Sequence, residues 1–235
     1  MARRLVLTGE SSRTRRTQWR PSHRLVPSRF PPVGLFDRVA RPEDLQAVFD
    51  LEAMTNDRVR DETGQISLVP AEERISGPGT TPVMAAFTHL NPEGSRFSDG
   101  SFGVYYCAQE LDTALAEVRY HQARFLRRTA EGSMQVQMRL YLADIDARLA
   151  DVRKTSECHR PDDYAPSRSV GVALRGAGRD GILYRSVRHA GGTCAAIFRP
   201  RLISRCRQSK HYALHFDGKD IVAIDELKGV WPRHA

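Results

Sequence analysis

The sequence predicts an α+β fold with mixed, largely antiparallel sheets and flanking helices. Strand-like and helix-like stretches follow one another without the regular βαβ repeat of a parallel sheet. "SMQVQMRLYL" (133–142) alternates with the period of a half-buried strand, whereas "DTALAEVRYHQARFL" (112–126) has the apolar spacing of a helix. "HYALHFDGKDIVAID" (211–225) carries a hairpin signal at Asp217-Gly218. The chain of 235 residues is long enough for one domain of ordinary size.

The first 30 residues differ in composition from the rest. They contain eight of the arginines against the single acidic residue Glu10, so the remaining chain is almost neutral. Such a basic, weakly apolar segment predicts a disordered tail, residues 1–30, before a single folded domain, residues 31–235. We expect its deletion to leave the activity of the domain intact. The alternatives for the tail are a transit peptide or an arm that binds polyanions, which would make the chain a nucleic-acid-binding module.

The folded domain is predicted to begin with a short strand at 33–40, followed by a helix that Pro42 opens. "VMAAFTHL" (83–90) is either a buried strand or a short helix, because its periodicity does not separate the two.

A strand at Tyr105-Tyr106 then leads into the helix of 112–126, with Asp112 as the predicted N-cap. "SRSVGVALRGAG" (167–178) is again helical, and "GILY" (181–184) and "CAAIF" (194–198) are apolar strands. The buried face of the helix at 112–126, together with the residue before it, is predicted to consist of six residues: Leu111, Ala114, Leu115, Val118, Gln122 and Phe125.

Several classes of protein are excluded. No stretch approaches the roughly 20 apolar residues of a membrane helix. The four cysteines form no C-x-x-C pair, and no H-E-x-x-H occurs, so we expect neither a metal site nor a disulfide framework. Free thiols in a cytoplasmic protein are the simplest interpretation.

Few residues suggest chemistry by their pattern alone. Glu117 lies at the edge of the apolar helix face, either directed into a cleft or exposed and in contact with His121 one turn later. Tyr105 and Tyr106 face opposite sides of their strand, so one belongs to the core and the other to a groove. Ser186 and His189, with Asp180, form a weak candidate triad because no G-x-S-x-G elbow is present. Gly191-Gly192 is equally weak as a phosphate-binding loop.

Two separated motifs, "RFSDGSFGVYYCAQELDTALAE" (96–117) and "GRDGILYRSVRHAGGTCAAIFRP" (178–200), resemble the RES domain, which is named for its arginine, glutamate and serine. The similarity runs from about Gly34 to Asp225, with a motif core at about 94–225. The order of arginine, turn, aromatic strand, helix, Y-x-S-V-R and glycine pair is that of the family.

The resemblance implies a function. RES proteins are typically cytoplasmic toxins of bacterial toxin-antitoxin pairs, with a fold similar to that of ADP-ribosyltransferases. They use NAD+ as substrate and need no metal. They release nicotinamide with phosphate or water as acceptor, or transfer ADP-ribose to a protein. Their partners are helical antitoxins of the Xre class that cover the active site, and nucleic acid is not expected to bind the toxin domain itself.

The resemblance also implies roles for individual residues. It makes Arg96, and less directly Arg38, the anchors of the dinucleotide, and Tyr106 the ring beside nicotinamide. Glu117 would stabilise the positive charge that develops on the ribose, and Ser186 would hydrogen-bond the ribose or phosphates. The sequence departs from the family at Asp37, where an aromatic residue usually precedes the arginine, and at Thr193-Cys194, where many members have asparagine.

Overall fold

The computed structural model describes residues 13–28 and 65–228. These residues form seven strands, three α-helices and several short 3-10 helices. The strands are β1 (Thr14–Pro27), β2 (Tyr105–Ala108), β3 (Met134–Asp151), β4 (Gly181–Arg185), β5 (Thr193–Ile197), β6 (Ile203–Phe216) and β7 (Ile221–Leu227). The helices are α1 (Thr81–Thr88), α2 (Leu111–Arg128) and α3 (Ala165–Gly176).

All seven strands belong to one sheet with the order β1-β2-β5-β4-β3-β6-β7. Strand β1 also pairs with β3, so that β1, β2, β5, β4 and β3 form a closed ring. Only β3 and β4 pair in parallel, and the other described pairings are antiparallel. The predicted α+β class with a mixed, largely antiparallel sheet is therefore confirmed.

Strand β3 is almost twice as long as its alternating sequence predicts. Met138 and Leu140 are buried as expected, but beyond them the large buried side chains are odd-numbered, Ile145 and Leu149 among them. The register against β6 shifts between Arg139 and Asp144. At each shift the extra residue lies in β6, so β3 keeps its period of two: the even-numbered residues of its first half pack against α2, and the odd-numbered residues of its second half face the core inside the ring.

The prediction of a disordered tail is wrong for residues 14–27, which form β1. This strand pairs with β3 from Thr14 to Pro27 and buries Thr17 and Trp19. Its arginines alternate with these inward residues; Arg16, for example, bonds Asp146 on the outer face. The composition suggested a disordered tail because the exposed residues of β1 include many arginines, whereas only a few residues of the strand are buried.

Other predictions are settled at the level of single elements. Residues 83–90 lie mainly in a helix, α1, and not in a strand. The N-cap of α2 is Glu110, so the prediction of Asp112 as the cap is wrong by two residues. Phe125 is exposed, contrary to its predicted place on the buried face, because Ala123 and Leu126 make the contact with the sheet. The predicted strand at 33–40 and the helix after it, including Arg38, lie outside the described residues.

Strands β4 and β5 are buried on both faces. Leu183, Ala195 and Ile197 join the core inside the ring, with Trp19 and Tyr105, whereas their sequence neighbours pack against α3 and the segment before β2. A third cluster joins α2 to β3, β6 and β7. The β4–β5 turn is thereby held next to α2, where the candidate site lies.

Candidate active site

One face of α2 carries polar side chains. Residues 113, 117, 120, 121 and 124 recur at spacings of three and four, so they lie on the same side of the helix. They are Thr113, Glu117, Tyr120, His121 and Arg124. Two other segments meet this face, the loop between β3 and α3 and the β4–β5 turn, and the loop before β2 bonds the first of these.

Glu117 and Ser186, 69 residues apart in sequence, form a direct hydrogen bond. The Ser186 hydroxyl donates to Oε1 of Glu117 over 2.6 Å. The same Oγ accepts hydrogen bonds from the backbone N–H groups of Arg188 (3.1 Å) and His189 (2.9 Å). With its proton and both lone pairs used, Ser186 holds the carboxylate in place and has no free lone pair for nucleophilic attack.

The carboxylate of Glu117 is partly accessible. Its side chain is 18% exposed, and Oε2 lies 3.7 Å from Nε2 of His121. The predicted contact with His121 is present, but Glu117 is not the exposed residue of that alternative, because it is partly buried and its other oxygen is bound by Ser186. A fixed, accessible carboxylate is suited to stabilising a cation that develops in front of it.

The β4–β5 turn packs closely on the first turn of α2. Nδ1 of His189 lies 2.8 Å from Oγ1 of Thr113. A Cβ on Gly192 would lie only 2.6 Å from the same Thr113 oxygen, so a larger residue would push the turn off the helix. Gly192 thus serves close packing, and nothing in this geometry resembles a phosphate-binding loop.

The same contacts exclude a Ser-His-Asp triad. The ring of His189 is directed to Thr113, and only its backbone N–H reaches Ser186. Asp180 lies at the other end of β4, where it accepts a hydrogen bond from the Arg148 N–H at 3.1 Å. The base and the third residue are therefore not assembled around the serine.

Arg96 is a buried cation, 7% exposed, at the edge of the site. Its Nη1 donates to the carbonyl oxygens of Cys158 (3.3 Å) and Arg160 (3.0 Å), and its guanidinium lies 4.4 Å from the centre of the Tyr164 ring. Its Nη2 is buried without a hydrogen-bond partner among the described residues. An unsatisfied buried donor on a cation costs about 1–3 kcal/mol or more, which a bound anion would recover.

Tyr106 supports the segment that bears Arg96. Its hydroxyl lies 2.7 Å from Oγ of Ser95 and accepts the backbone N–H of Phe97 over 2.9 Å. Burial raises the pKa of Tyr106 to about 12, so the phenol stays protonated. Tyr105, as predicted for one of the pair, is fully buried in the core. The hydroxyl of Tyr106 is thus used for positioning, whereas contact of its ring with a substrate stays a prediction.

Arg188 and Tyr120 belong to the site but were not predicted. The guanidinium of Arg188 lies 3.3 Å from the centre of the Tyr120 ring, and its side chain is 13% exposed. The signal was present in the sequence: Tyr120 is one helical turn beyond Glu117, and Arg188 follows Ser186 by two residues. The pairing could not be predicted because loop 157–164, which contacts both residues, is placed only by the tertiary structure.

The site is electropositive around one carboxylate. Burial and the cations Arg188, Arg96 and Arg124 lower the pKa of His121. Half of the His121 side chain is open to water, so solvent screens part of this effect. His121 is therefore neutral at neutral pH, and Glu117 is the anionic group of the polar α2 face.

A cleft of about 280 Å³ lies at the end of β4 and β5 away from Glu117 and contains none of the predicted residues. Its arginines are bonded within the protein: Arg199 to Glu73 (3.0 Å) and Arg175 to the Phe198 carbonyl (2.7 Å). Satisfied charges need no ligand, so the unfilled donors of Arg96 and Arg188 favour the Glu117 region as the candidate site.

The described ranges, 13–28 and 65–228, contain no cluster of three or more His, Cys, Asp or Glu side chains arranged for a metal ion. None of their helices is long and apolar enough to cross a membrane.

Comparisons with known proteins relate the chain to others of similar sequence or fold. The chain is 32% identical over 204 residues to the uncharacterized protein y4oC of Sinorhizobium fredii, covering 85% of this chain and 84% of that protein. Its fold is similar to a chain in the crystal structure of the M. tuberculosis MbcT-MbcA toxin-antitoxin complex, with a TM-score of 0.50 and 13% identity over 91% of this chain and 92% of that one. The profile of the RES domain matches residues 71–217, a span that includes Arg96, Glu117 and Ser186. The chain therefore belongs to the RES domain family.

Proposed function

We propose that this protein is the toxin of a bacterial toxin-antitoxin pair, and that it cleaves NAD+ at the bond between nicotinamide and ribose. The observation that carries the proposal is the Glu117 carboxylate, fixed by Ser186 at 2.6 Å and in contact with His121, whose pKa is lowered by three nearby arginines, Arg188, Arg96 and Arg124. Two of these, Arg96 and Arg188, have buried donors without a described partner. A dinucleotide matches both the arginines and the carboxylate, because its pyrophosphate is an anion and its ribose becomes cationic during cleavage.

The reaction places a separate demand on each group. As the C–N bond breaks, nicotinamide leaves as a neutral molecule with the electron pair, and the ribose gains oxocarbenium character. Glu117 stabilises that charge, and Ser186 keeps the carboxylate oriented. No proton donor is needed for the leaving group. The acceptor then attacks the ribose: phosphate yields ADP-ribose 1''-phosphate, and water yields ADP-ribose with release of one proton.

Transfer of ADP-ribose to a protein is the alternative reaction. It shares the same cationic transition state, and only the nucleophile differs. Either reaction depends on Glu117 in the same way. The identity of the product therefore distinguishes them, and the effect of removing the carboxylate does not.

An antitoxin of the helical Xre class is the proposed partner. A chain of similar fold was crystallised in a toxin-antitoxin complex. The family resemblance implies a partner that covers the active site. A gene for a small helix-turn-helix protein beside this one, whose product co-purifies with the chain and blocks its reaction, would support the pairing.

The test is to incubate the purified chain with NAD+, with and without inorganic phosphate, and to identify the products. Phosphorolysis predicts ADP-ribose 1''-phosphate only when phosphate is present, and hydrolysis predicts ADP-ribose in both samples. Transfer to a protein predicts a labelled band from a labelled dinucleotide. Unchanged NAD+ in every sample, with a folded protein, would reject the proposal.

A further inference from the structure

The loop between β3 and α3 is bound to the cations of the candidate site. Arg96 donates to two of its carbonyl groups, those of Cys158 and Arg160. Arg188 donates to the Pro161 carbonyl through Nη2. Tyr120, on the same helix face as Glu117, donates its phenolic proton to Oδ1 of Asp162 over 2.5 Å. Residues 158–162 thus cross the site and are bonded to its arginines and to Tyr120.

Asp162 has the contacts expected of a bound anion. Its Oδ1 accepts from Tyr120 and lies 3.4 Å from Nη2 of Arg188. These hydrogen bonds and nearby cations lower the pKa of the Asp162 carboxyl, so it is charged at neutral pH. Yet the side chain is 75% exposed, which leaves it free to withdraw into water. An exposed carboxylate is held only weakly by such pairs.

The cation behind Asp162 is not fully satisfied by it. Nε of Arg188 is buried without a partner among the described residues. A carboxylate has two oxygens and one charge, whereas a phosphate group has more acceptor oxygens and carries up to two charges. Phosphate therefore matches this set of donors better than Asp162 does.

We propose that Tyr120 and Arg188 form a phosphate-binding subsite beside Glu117, and that the carboxylate of Asp162 occupies this subsite in the ligand-free protein. The inference rests on the proposed function, whose substrate-binding it specifies. The phosphate group comes either from the dinucleotide or from free inorganic phosphate that acts as acceptor. Asp162 then competes with the ligand, and binding requires its displacement.

The subsite lies close to the reacting position. The backbone N–H of Arg188 bonds the Ser186 hydroxyl, which in turn bonds Glu117. Tyr120 is three residues from Glu117 on α2. A phosphate held by Arg188 and Tyr120 is thus held by the same turn and helix that position the carboxylate.

The test measures binding without turnover, by calorimetric titration of the full chain at fixed ionic strength. The ligands are inorganic phosphate alone and ADP-ribose alone, with adenosine as a ligand that lacks phosphate. Because a competitor lowers apparent affinity by the fraction of protein it leaves competent, Asp162→Ala is expected to bind phosphate about three- to tenfold more tightly. Arg188→Gln is expected to bind it about tenfold or more weakly.

The two sources of phosphate give different outcomes. If the subsite takes the dinucleotide, Asp162→Ala also tightens ADP-ribose, and ADP-ribose and phosphate compete. If it takes the acceptor, ADP-ribose affinity is unchanged and both ligands bind together. Either result supports the subsite. Glu157→Gln is the matched control, since Glu157 is an exposed acid of the same loop that pairs with Arg160, and it should leave both affinities unchanged.

An Asp162→Ala variant with unchanged affinity for both ligands would overturn the inference. Thermal melting of each variant separates loss of the subsite from loss of the fold, and Arg188→Lys supplies a second variant that keeps the charge. A different result would reject the proposed function but not the subsite: NAD+ is not cleaved, although phosphate or ADP-ribose still binds as expected.

Discussion

The hydroxyl of Ser186 links the Glu117 carboxylate to the backbone of a turn. It donates to Glu117 and accepts two N–H groups of the residues that follow it. Ser186 is therefore a positioning residue, although the pattern around it suggested a nucleophile. This distinction has a measurable consequence.

Ser186→Ala is expected to lower kcat for NAD+ cleavage about 10- to 100-fold and to destabilise the fold by about 1–3 kcal/mol, because two buried N–H groups and one carboxylate oxygen lose a partner. Steady-state kinetics and denaturant unfolding measure the two effects. Ser186→Thr keeps the hydroxyl and should recover part of kcat. A covalent adduct on Ser186 in the wild-type protein would contradict the positioning role.

His121 makes the site sensitive to pH. Burial and the surrounding arginines lower its pKa in the folded protein below the unfolded value. The folded state thus binds fewer protons, and the resulting stability is present above the unfolded pKa of about 6.5 and is lost as the pH falls below it. Because the side chain is half exposed, we expect an effect below about 1 kcal/mol.

The measurement is the free energy of unfolding at pH 7 and pH 5 for wild type and His121→Gln. The wild-type protein should lose more stability between the two values than the variant does. An NMR titration of the His121 ring, with a midpoint at or above 6.5, would be inconsistent with this account.

At the scale of elements, β2 is responsible for the position of Arg96. The hydroxyls of the two adjacent tyrosines of this strand differ in their hydrogen bonding. That of Tyr106 bonds Ser95 and Phe97, beside Arg96, whereas that of Tyr105 is buried without a hydrogen-bond partner among the described residues. The two residues form a matched pair for substitution.

Tyr106→Phe leaves the buried N–H of Phe97 unsatisfied, so we expect a loss of about 1–3 kcal/mol and weaker binding of NAD+. Tyr105→Phe removes an unsatisfied group and should be neutral or stabilising. Unfolding curves and the KM for NAD+ distinguish the variants. Equal stability losses in both would show that the hydroxyl of Tyr106 does not hold the Arg96 segment.

Strand β1 closes the ring and is required for the fold. Trp19 is buried between β1 and the central core, so Trp19→Ala should cost about 3–5 kcal/mol in unfolding free energy. Arg15→Ala, on the same strand but exposed, should change it by no more than about 0.5 kcal/mol. Thermal and denaturant unfolding give the comparison, and a Trp19→Ala variant as stable as wild type would refute the role of β1.

We therefore no longer expect that residues 1–30 can be removed without loss of activity. Their deletion removes a strand that pairs with both β2 and β3, and with it Trp19. A nucleic-acid arm is disfavoured for the same reason: Arg16 is paired with Asp146, and Arg24 donates to the Tyr106 carbonyl. These arginines belong to the folded domain.

For the whole molecule, local patterns predicted the elements but not their assembly. The period of β3, the helix of Glu117 and the Asp217-Gly218 hairpin are set by short-range sequence and were confirmed. The ring closure by β1 and the register shifts between β3 and β6 depend on pairing between distant segments, which periodicity does not report.

For the candidate site as well, local patterns predicted single residues but not how they assemble. The motifs named Arg96, Glu117 and Ser186 because each stands in a recognisable local context. Arg188, Tyr120 and Asp162 are brought together by a loop whose course only the tertiary structure defines. Arg38, assigned by resemblance, lies outside the described residues, and its role stays a prediction.

The central claim is that Glu117 stabilises the transition state of NAD+ cleavage. The most direct test compares nicotinamide release by wild type, Glu117→Gln and Glu110→Gln, the last an exposed acid at the start of the same helix whose side chain caps nothing. Glutamine keeps the size of the side chain and an acceptor for Ser186 but removes the charge. We expect Glu117→Gln to be slower by at least about 100-fold and Glu110→Gln to match wild type. Nicotinamide release by a folded Glu117→Gln variant at the wild-type rate would contradict the account.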